Sequence, residues 1–226
     1  NAHDLTLCLN TIVDGFTQVK EKLSEAPVAI SFAFPGPADY PRGIIGDLGN
    51  LPSFKGGVAL GPMLEEKFDM PVYINNDGDL YAYGEAIAGF LPYINKKLEE
   101  ANSPKRYKNL VGFTLGTGFG AGIVRNGDLF IGDNSGAAEV WLLRNKLHPE
   151  MNVEEGVSIR AVQRVYAELT KTSFEDAPSP KEIYDIGVGQ ASGNKEAAVE
   201  AFRQMAVVLG DALGNVLTLI DTVAVI

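Results

Sequence analysis

The alternation of apolar and polar positions divides the chain into helices and short strands. Apolar residues recur three and four positions apart in residues 5–23 and 195–220, which predicts two amphipathic helices. Short apolar runs at residues 28–34 and 71–74 predict buried strands, and each leads into a polar loop. Three further helices are predicted, over residues 61–68, 80–90 and 156–169. Strand, polar loop and helix in that order are typical of a layered α/β domain, and residues 91–109 are interpreted as an exposed connection.

A glycine-rich turn follows the next apolar run. Residues 110–113 are apolar and β-prone, residues 115–122 alternate glycine with other residues, and Asn126-Gly127 separates two more β-prone runs. Asn-Gly between such runs is the strongest short hairpin signal. The stretch therefore predicts three strands joined by two tight turns.

The glycine-rich turn is a candidate phosphate clamp. Gly116 and Gly118 lack side chains, so the backbone can approach a ligand closely, and Thr117 adds a hydroxyl. The alternative is that the glycines only relieve crowding at a bulge. A strand follows the turn and no Gly-Lys-Ser/Thr is present, which excludes a dinucleotide fingerprint and a Walker A loop.

Composition limits the partners. The 226 residues carry a net charge of −10, which argues against nucleic acid or an acidic membrane surface. One cysteine and two histidines exclude an internal disulfide and leave no cluster for structural zinc. Neither a leader nor a long apolar span is visible, so a cytoplasmic protein is expected, although the sequence begins with Asn rather than Met.

Three carboxylates are candidates for the chemistry. Asp77 follows the second strand beside Asn76, where it could take a proton from a substrate hydroxyl; alternatively Asp77 or Asp79 caps the next helix. Glu139 follows a Gly-Ala-Ala turn and could meet a ligand or be an ordinary first-turn acid. Glu154 belongs to an acidic pair that could equally be solvated.

Five segments, in a fixed order, resemble the ROK family of sugar kinases and repressors. They are SFAFPGPAD, GNLPSFKG, PVYINNDGDLYAYGEAIAG, LGTGFGAGIVRNGDLFIGDNSGAAE and LGDALGNVLTLID. The resemblance covers nearly the whole chain. It implies the actin-like ATPase (ribonuclease H-like) fold, with two α/β lobes around a cleft, expected here as residues 1–108 and 109–226.

The resemblance also assigns roles to single residues. It makes Asp77 the base that takes the proton of a sugar hydroxyl, as a kinase transfers the γ-phosphate of ATP to a hexose or N-acetylhexosamine. The sugar-binding residues that it implies are Gly36, Pro37, Asn50, Asn76, Glu139 and Glu154, with Glu155 as the alternative to Glu154. The residues that it implies for gripping the ATP phosphates are Gly116, Thr117 and Gly118. It further implies Mg²⁺ beside ATP, and it leaves a homodimer open because family members are often dimers.

The chain departs from the family pattern in two places. The His that follows the motif glutamate falls at Leu142 and the preceding Gly at Trp141, so one sugar contact is lost unless His148 replaces it. The Cys-rich zinc loop is replaced by residues 144–151, which predicts no zinc.

Both ends of the family pattern are missing. The first phosphate loop, Asp-Xaa-Gly-Gly-Thr, and the Gly-Gly adenosine segment are not in the sequence. The chain is then either a fragment of a longer protein or a degenerate member of the family. We expect the fragment, which would not turn over alone. The rivals to a kinase are a sugar-responsive repressor and a non-catalytic sugar-binding relative. The intact Asn76-Asp77 pair favours the kinase.

Overall fold

The computed structural model describes residues 3–49 and 51–226, and for residue 224 the backbone alone. The chain divides into two compact units. The first runs up to Leu80 and includes Asp133–Ser135, and the second consists of Tyr81–Gly132 and Gly136–Ile226. The lobe boundary expected after residue 108 stays a prediction. Within the described ranges, no helix is both long and apolar enough to cross a membrane.

The first unit is built on one pair of parallel strands. In chain order it contains α1 (Leu5–Lys22), β1 (Ile30–Ala33), β2 (Ala38–Asp39), β3 (Ile44–Ile45), α2 (Leu60–Phe68), β4 (Val72–Asn75) and the first residues of α3 (Asp77–Ile87). Strand β1 pairs with β4 in parallel, from Ile30 opposite Val72 to Ala33 opposite Asn75. Both strands therefore end at the same edge.

One face of this strand pair is covered by the core of the unit. Ile30 and Ile74 are buried, whereas Ser31 and Tyr73, which alternate with them, are exposed. The carboxylate of Asp4 starts α1 by accepting the N–H of Leu7 at 2.9 Å, and the apolar stripe of that helix packs on the core. The buried members of this core are Ile30, Ile45, Leu48, Phe54, Leu60, Leu64, Phe68 and Ile74.

The second unit is a helix–sheet–helix layer. Its elements are α4 (Phe90–Glu100), β5 (Leu110–Leu115), β6 (Phe119–Arg125), β7 (Asp128–Leu129), α5 (Glu154–Val157), α6 (Ile159–Thr170), α7 (Pro180–Gly187), α8 (Lys195–Ile220) and β8 (Val223–Val225). The strand order is β7-β6-β5-β8, with β8 parallel to β5 and the other pairs antiparallel.

Both faces of this sheet are covered, which explains the continuous apolar run in β5. Phe113 belongs to a cluster with Val208 of α8, whereas Leu110 belongs to a second cluster with Ala82 of α3 and Leu91 of α4. A strand buried on both faces has no polar side to alternate with.

The structure confirms some element predictions and corrects others. The helix predicted over residues 195–220 has those bounds, and β5 and β6 form the predicted glycine hairpin. The exposed connection predicted over residues 91–109 is wrong in its first half, because α4 forms there and buries Leu91. The helix predicted over residues 156–169 is interrupted at Ser158, which separates α5 from α6.

Candidate functional site

The loops that follow β1 and β4 meet in the first unit. A Cβ atom placed on Gly36 would lie 3.8 Å from Nδ2 of Asn76 and 2.9 Å from the hydroxyl of Tyr40. Only a residue without a side chain fits this approach comfortably. The structure thus brings Gly36 and the adjoining Pro37 against Asn76. Asn50, the other residue predicted for this pocket, lies outside the described residues.

Tyr40 links the two loops, and sequence reasoning missed it. Its hydroxyl donates to the carbonyl of Phe34 at 3.1 Å, and the amide Nδ2 of Asn76 donates to that hydroxyl at 3.3 Å. The next segment is tied in as well, because Gly46 donates its N–H to the carbonyl of Pro37 at 2.8 Å. Asn76 is 36 positions away from Tyr40 in sequence, so no local pattern indicated the link between the two loops.

Asn76 caps helix α3. Its Oδ1 accepts the N–H groups of Gly78 at 2.8 Å and Asp79 at 3.3 Å, which are the second and third residues of the helix. An asparagine at this position satisfies donors that a helix N-terminus leaves without a partner. The alternative that Asp77 or Asp79 provides the cap is therefore wrong.

Asp77 is the first residue of α3, and its side chain is exposed. Its Oδ1 accepts the neighbouring N–H of Gly78 at 3.1 Å, a bond that Gly78 shares with Asn76. The positive end of the helix macrodipole favours a negative charge at this place. The carboxylate thus lies at a strand end, next to the loop of Gly36 and Asn76.

The glycine turn of the second unit spans residues 116–118, because Leu115 pairs with Phe119 across the hairpin. Added Cβ atoms would lie 2.7 Å from Oε2 of Glu154 at position 118 and 2.6 Å from Oγ1 of Thr114 at position 120. Crowding within the protein therefore accounts for these two glycines, as the bulge alternative supposed. It does not account for Gly116, where an added Cβ meets nothing within 4 Å among the described residues.

The carbonyl groups of the turn are all held by the unit itself. Gly116 accepts the N–H of Ile159 at 2.9 Å, Thr117 accepts Nη1 of Arg160 at 2.8 Å, and Gly118 accepts the N–H of Gly116 at 3.0 Å. Ile159 and Arg160 are the first two residues of α6. The first residues of that helix therefore hold the backbone of the turn in place.

Glu154 lies behind the same turn. Its Oε2 accepts the N–H of Phe119 at 3.0 Å, and its Oε1 accepts Nη2 of Arg160 at 2.8 Å. The guanidinium also binds Glu155, and this hydrogen bond lowers the pKa of the Glu155 carboxyl below its ordinary value. Bonds from both carboxylates raise the pKa of Arg160. The structure therefore brings Glu154 together with Gly116, Thr117 and Gly118.

Glu139 lies just before a short 3-10 helix, Val140–Leu142. Its side chain is exposed, and one carboxylate oxygen accepts the indole N–H of Trp141. Val140 is buried and anchors this helix in the sheet cluster, whereas Leu142 is 60% exposed. An apolar side chain thus faces solvent where the resemblance places a histidine.

The loop at the position of the family's zinc loop is closed by an asparagine. Oδ1 of Asn145 accepts the N–H groups of Leu147 at 3.0 Å and His148 at 3.1 Å, and the side chain is fully buried. The carbonyl of Leu143 accepts the N–H of Val153 at 2.7 Å and joins the two ends. Among the described residues, no group of three or more His, Cys, Asp or Glu could hold a metal ion.

Comparison with known proteins gives a consistent picture. A model of the ROK family matches residues 3–226. A solved glucokinase from Parabacteroides distasonis is 59% identical, with a TM-score of 0.91 over 99% of this chain and 63% of that chain. A ROK family glucokinase from Streptomyces griseus, solved with glucose and AMPPNP, has a TM-score of 0.70 at 20% identity and covers 99% of this chain and 72% of that chain. The second likeness concerns the fold alone.

Curated relatives include both kinases and repressors. A xylose repressor from Bacillus spizizenii is 23% identical over 180 residues, which are 75% of this chain and 40% of the repressor. An N-acetyl-D-glucosamine kinase from Vibrio cholerae is 33% identical over 115 residues, which are 51% of this chain and 33% of the kinase. The matched part thus spans a third to two fifths of these relatives.

Proposed function

Because the chain belongs to the ROK family, we propose that it transfers the γ-phosphate of ATP to a hydroxyl of a hexose or N-acetylhexosamine. Its fold is the actin-like ATPase fold of that family's sugar kinases. The 59% identity to a glucokinase over 99% of the chain favours a kinase within this family. A glucose-like acceptor is the first substrate to test.

The observation that carries the proposal is that Asn76 and Asp77 make different contacts at the start of α3. Asn76 caps α3, and the Asp77 carboxylate shares only the N–H of Gly78 through its Oδ1 and remains exposed at the strand end. In the proposed reaction Asp77 accepts the proton of the sugar hydroxyl as its oxygen bonds to the γ-phosphorus, and ADP leaves. The loop of Gly36 and Pro37 lies beside Asn76 and supports their proposed role in binding the sugar.

The proposed nucleotide contacts are the turn of Gly116, Thr117 and Gly118. A peptide N–H points away from its carbonyl, and the carbonyls of Gly116 and Thr117 are held by α6. The N–H groups of Thr117 and Gly118 are therefore directed away from α6, which fits a phosphate ligand. Mg²⁺ is bound mostly through substrate phosphates and one or two carboxylates, so a dedicated protein cage is not required; when bound, it neutralises charge on the transferred group.

Two further carboxylates are assigned to sugar hydroxyls. Glu139 is exposed and oriented by Trp141, which fits a hydrogen-bonding role. Glu154 is engaged by Phe119 and Arg160, so a sugar contact would be additional to its bonds behind the turn. We also expect a cytoplasmic protein, as proposed from the sequence, and no zinc, because the zinc loop of the family is replaced; the resemblance leaves a homodimer open.

The test is a coupled ADP-release assay on the full-length protein with a panel of hexoses and N-acetylhexosamines, comparing Asp77→Asn with the parent. Loss of a positioned base is expected to lower kcat by about 10²–10⁴-fold. Sugar affinity, measured by calorimetry, is expected to change little, because the amide keeps the size of the carboxylate.

Asp69→Asn is the matched control. Asp69 is an exposed carboxylate of the same unit with φ 52°, a left-handed conformation that asparagine adopts readily. It should retain parental turnover. Equal rates for Asp77→Asn and the parent would reject Asp77 as the base.

A repressor or a non-catalytic sugar-binding protein is the second candidate. The match to a xylose repressor over 75% of the chain and the exposed Leu142 at the position of the family histidine favour it. Sugar binding without ADP release for every sugar in the panel would support this candidate and reject the kinase.

A further inference from the structure

The residue that controls the shape of the glycine turn is Arg160. Its Nη1 donates to the carbonyl of Thr117 at 2.8 Å across 43 positions of sequence. Its Nη2 donates to Oε1 of Glu154 at 2.8 Å, while the other oxygen of Glu154 accepts the N–H of Phe119. One guanidinium therefore holds the turn directly and also through Glu154.

This contact sets the direction of one peptide group. The Thr117 carbonyl and the Gly118 N–H belong to the same planar trans peptide, so they point in opposite directions. A carbonyl held by Arg160 therefore directs the Gly118 N–H away from α6. The neighbouring peptide is fixed in the same way, because the carbonyl of Gly116 accepts the N–H of Ile159 at 2.9 Å.

The positive charge of Arg160 also compensates negative charge beside the turn. Two carboxylates, Glu154 and Glu155, lie beside a turn that is proposed to bind polyphosphate, and their negative charge opposes that ligand. Arg160 forms ion pairs with both, at 2.8 Å to Glu154 and 2.5 Å to Glu155. Removing the guanidinium would take away the ion-pair partner of both glutamates close to the proposed phosphate site.

We propose that Arg160 is a positioning residue for nucleotide binding, which orients the Thr117–Gly118 peptide and neutralises the glutamates behind it. This inference rests on the proposed function, since it takes the turn as the phosphate site. Arg160 reaches the proposed sugar site only through Glu154, whereas it holds the turn through both Thr117 and Glu154. Its effect should therefore be larger on the nucleotide than on the sugar.

The experiment compares Arg160→Met with Arg164→Met in the full-length protein. Arg164 lies one turn later on α6, forms an ion pair with Glu168 at 2.9 Å and donates to the carbonyl of Glu155 at 3.1 Å, but it does not contact the turn. Each variant loses a bond to a backbone carbonyl, and Arg160→Met loses two ion pairs where Arg164→Met loses one. The difference between the variants therefore reports the contacts of Arg160 with Thr117, Glu154 and Glu155.

We expect Arg160→Met to raise KM for ATP by about tenfold, the loss of one charge-assisted hydrogen bond. KM for the sugar should rise less than KM for ATP, because only the contact with Glu154 is shared with the proposed sugar site, and Arg164→Met should stay near the parent in both constants. The proposal is overturned if the two variants share one KM for ATP, or if Arg160→Met raises KM for the sugar as much as KM for ATP.

Two further measurements keep the outcome interpretable. If Arg160→Met is too unstable to assay, Arg160→Lys replaces it, because lysine keeps the charge but lacks the planar fork. A KM for ATP above that of Arg164→Met then supports the proposal, and an equal value overturns it. Calorimetric binding of AMPPNP without sugar separates this test from the kinase proposal, because the variants still differ in affinity if no sugar is phosphorylated.

Discussion

Asn76 combines two tasks at a single residue. Its Oδ1 caps α3, and its Nδ2 binds the hydroxyl of Tyr40, which in turn binds the loop after β1. The geometry of the candidate sugar loops and the start of the helix are thus set by one amide group. A substitution can separate the tasks only if it keeps the capping oxygen.

We expect Asn76→Ala to lower the free energy of unfolding by about 1 kcal/mol, because the N–H groups of Gly78 and Asp79 lose their acceptor. Asn76→Asp should cost far less, since aspartate caps as well as asparagine. Chemical denaturation of both variants measures the difference. If the two are equally destabilised, capping does not explain the role of this side chain.

Single residues of the site were predictable where the signal was local. The Asn76-Asp77 pair and the glycine turn were predicted from adjacent residues. Arg160 and Tyr40 were missed, because the contacts that give them a place in the site, with Thr117 and Asn76, span 43 and 36 positions of sequence. The sequence around a single arginine near the start of a helix does not indicate which distant carbonyl its side chain binds.

Among the elements, long periodic segments were the most predictable. Helix α8 has 26 residues, and its cap at Asn194 accepts the N–H of Ala197. Helix α4 was missed because a short, highly charged segment is also typical of an exposed loop, and its burial of Leu91 depends on the sheet beneath it. The local sequence pattern was compatible with a loop or a helix, and contacts with the sheet therefore determine that this segment is helical.

The close packing of α3 on the sheet gives a prediction at this scale. A Cβ atom at Gly112 of β5 would lie 2.8 Å from the backbone Cα of Ala82, which cannot move aside as a flexible side chain could. We expect Gly112→Ala to lower the free energy of unfolding by about 1–3 kcal/mol, as overpacking of a core does.

Gly214 of α8 provides the matched control. It is exposed, and an added Cβ would meet no described atom within 4 Å apart from the backbone of its own helix. Gly214→Ala should raise the free energy of unfolding by about 0.5–1 kcal/mol, because alanine loses less backbone entropy in a helix. Urea denaturation measures both variants, and a neutral Gly112→Ala would contradict the packing argument.

For the whole molecule, the sequence predicted the family and the fold class. Five ordered segments carried the resemblance, and the family match over residues 3–226 confirms it. The sequence did not show the chemical consequence of a departure from the family pattern, such as the exposed Leu142 at the position of the family histidine.

Sugar binding should therefore be measured on the whole molecule without relying on turnover. A sugar at 100 times its Kd is expected to stabilise the folded protein by about 2.7 kcal/mol, because it binds the native state alone. Thermal unfolding with each sugar of the panel gives this shift, for the parent and for Asp77→Asn alike. Sorbitol at the same concentration is the control for unspecific polyol effects. If no hexose or N-acetylhexosamine exceeds sorbitol, the protein does not bind that class.

The three held carbonyls of the glycine turn have a consequence for binding thermodynamics. A loop that must become ordered around its ligand loses conformational entropy at that moment, and its affinity falls accordingly. In this turn, hydrogen bonds to α6 and Glu154 already hold the backbone in one conformation in the folded protein. In the proposed nucleotide complex the phosphates would therefore meet a backbone that is already ordered, and the entropic cost of binding would fall on the nucleotide rather than on the polypeptide.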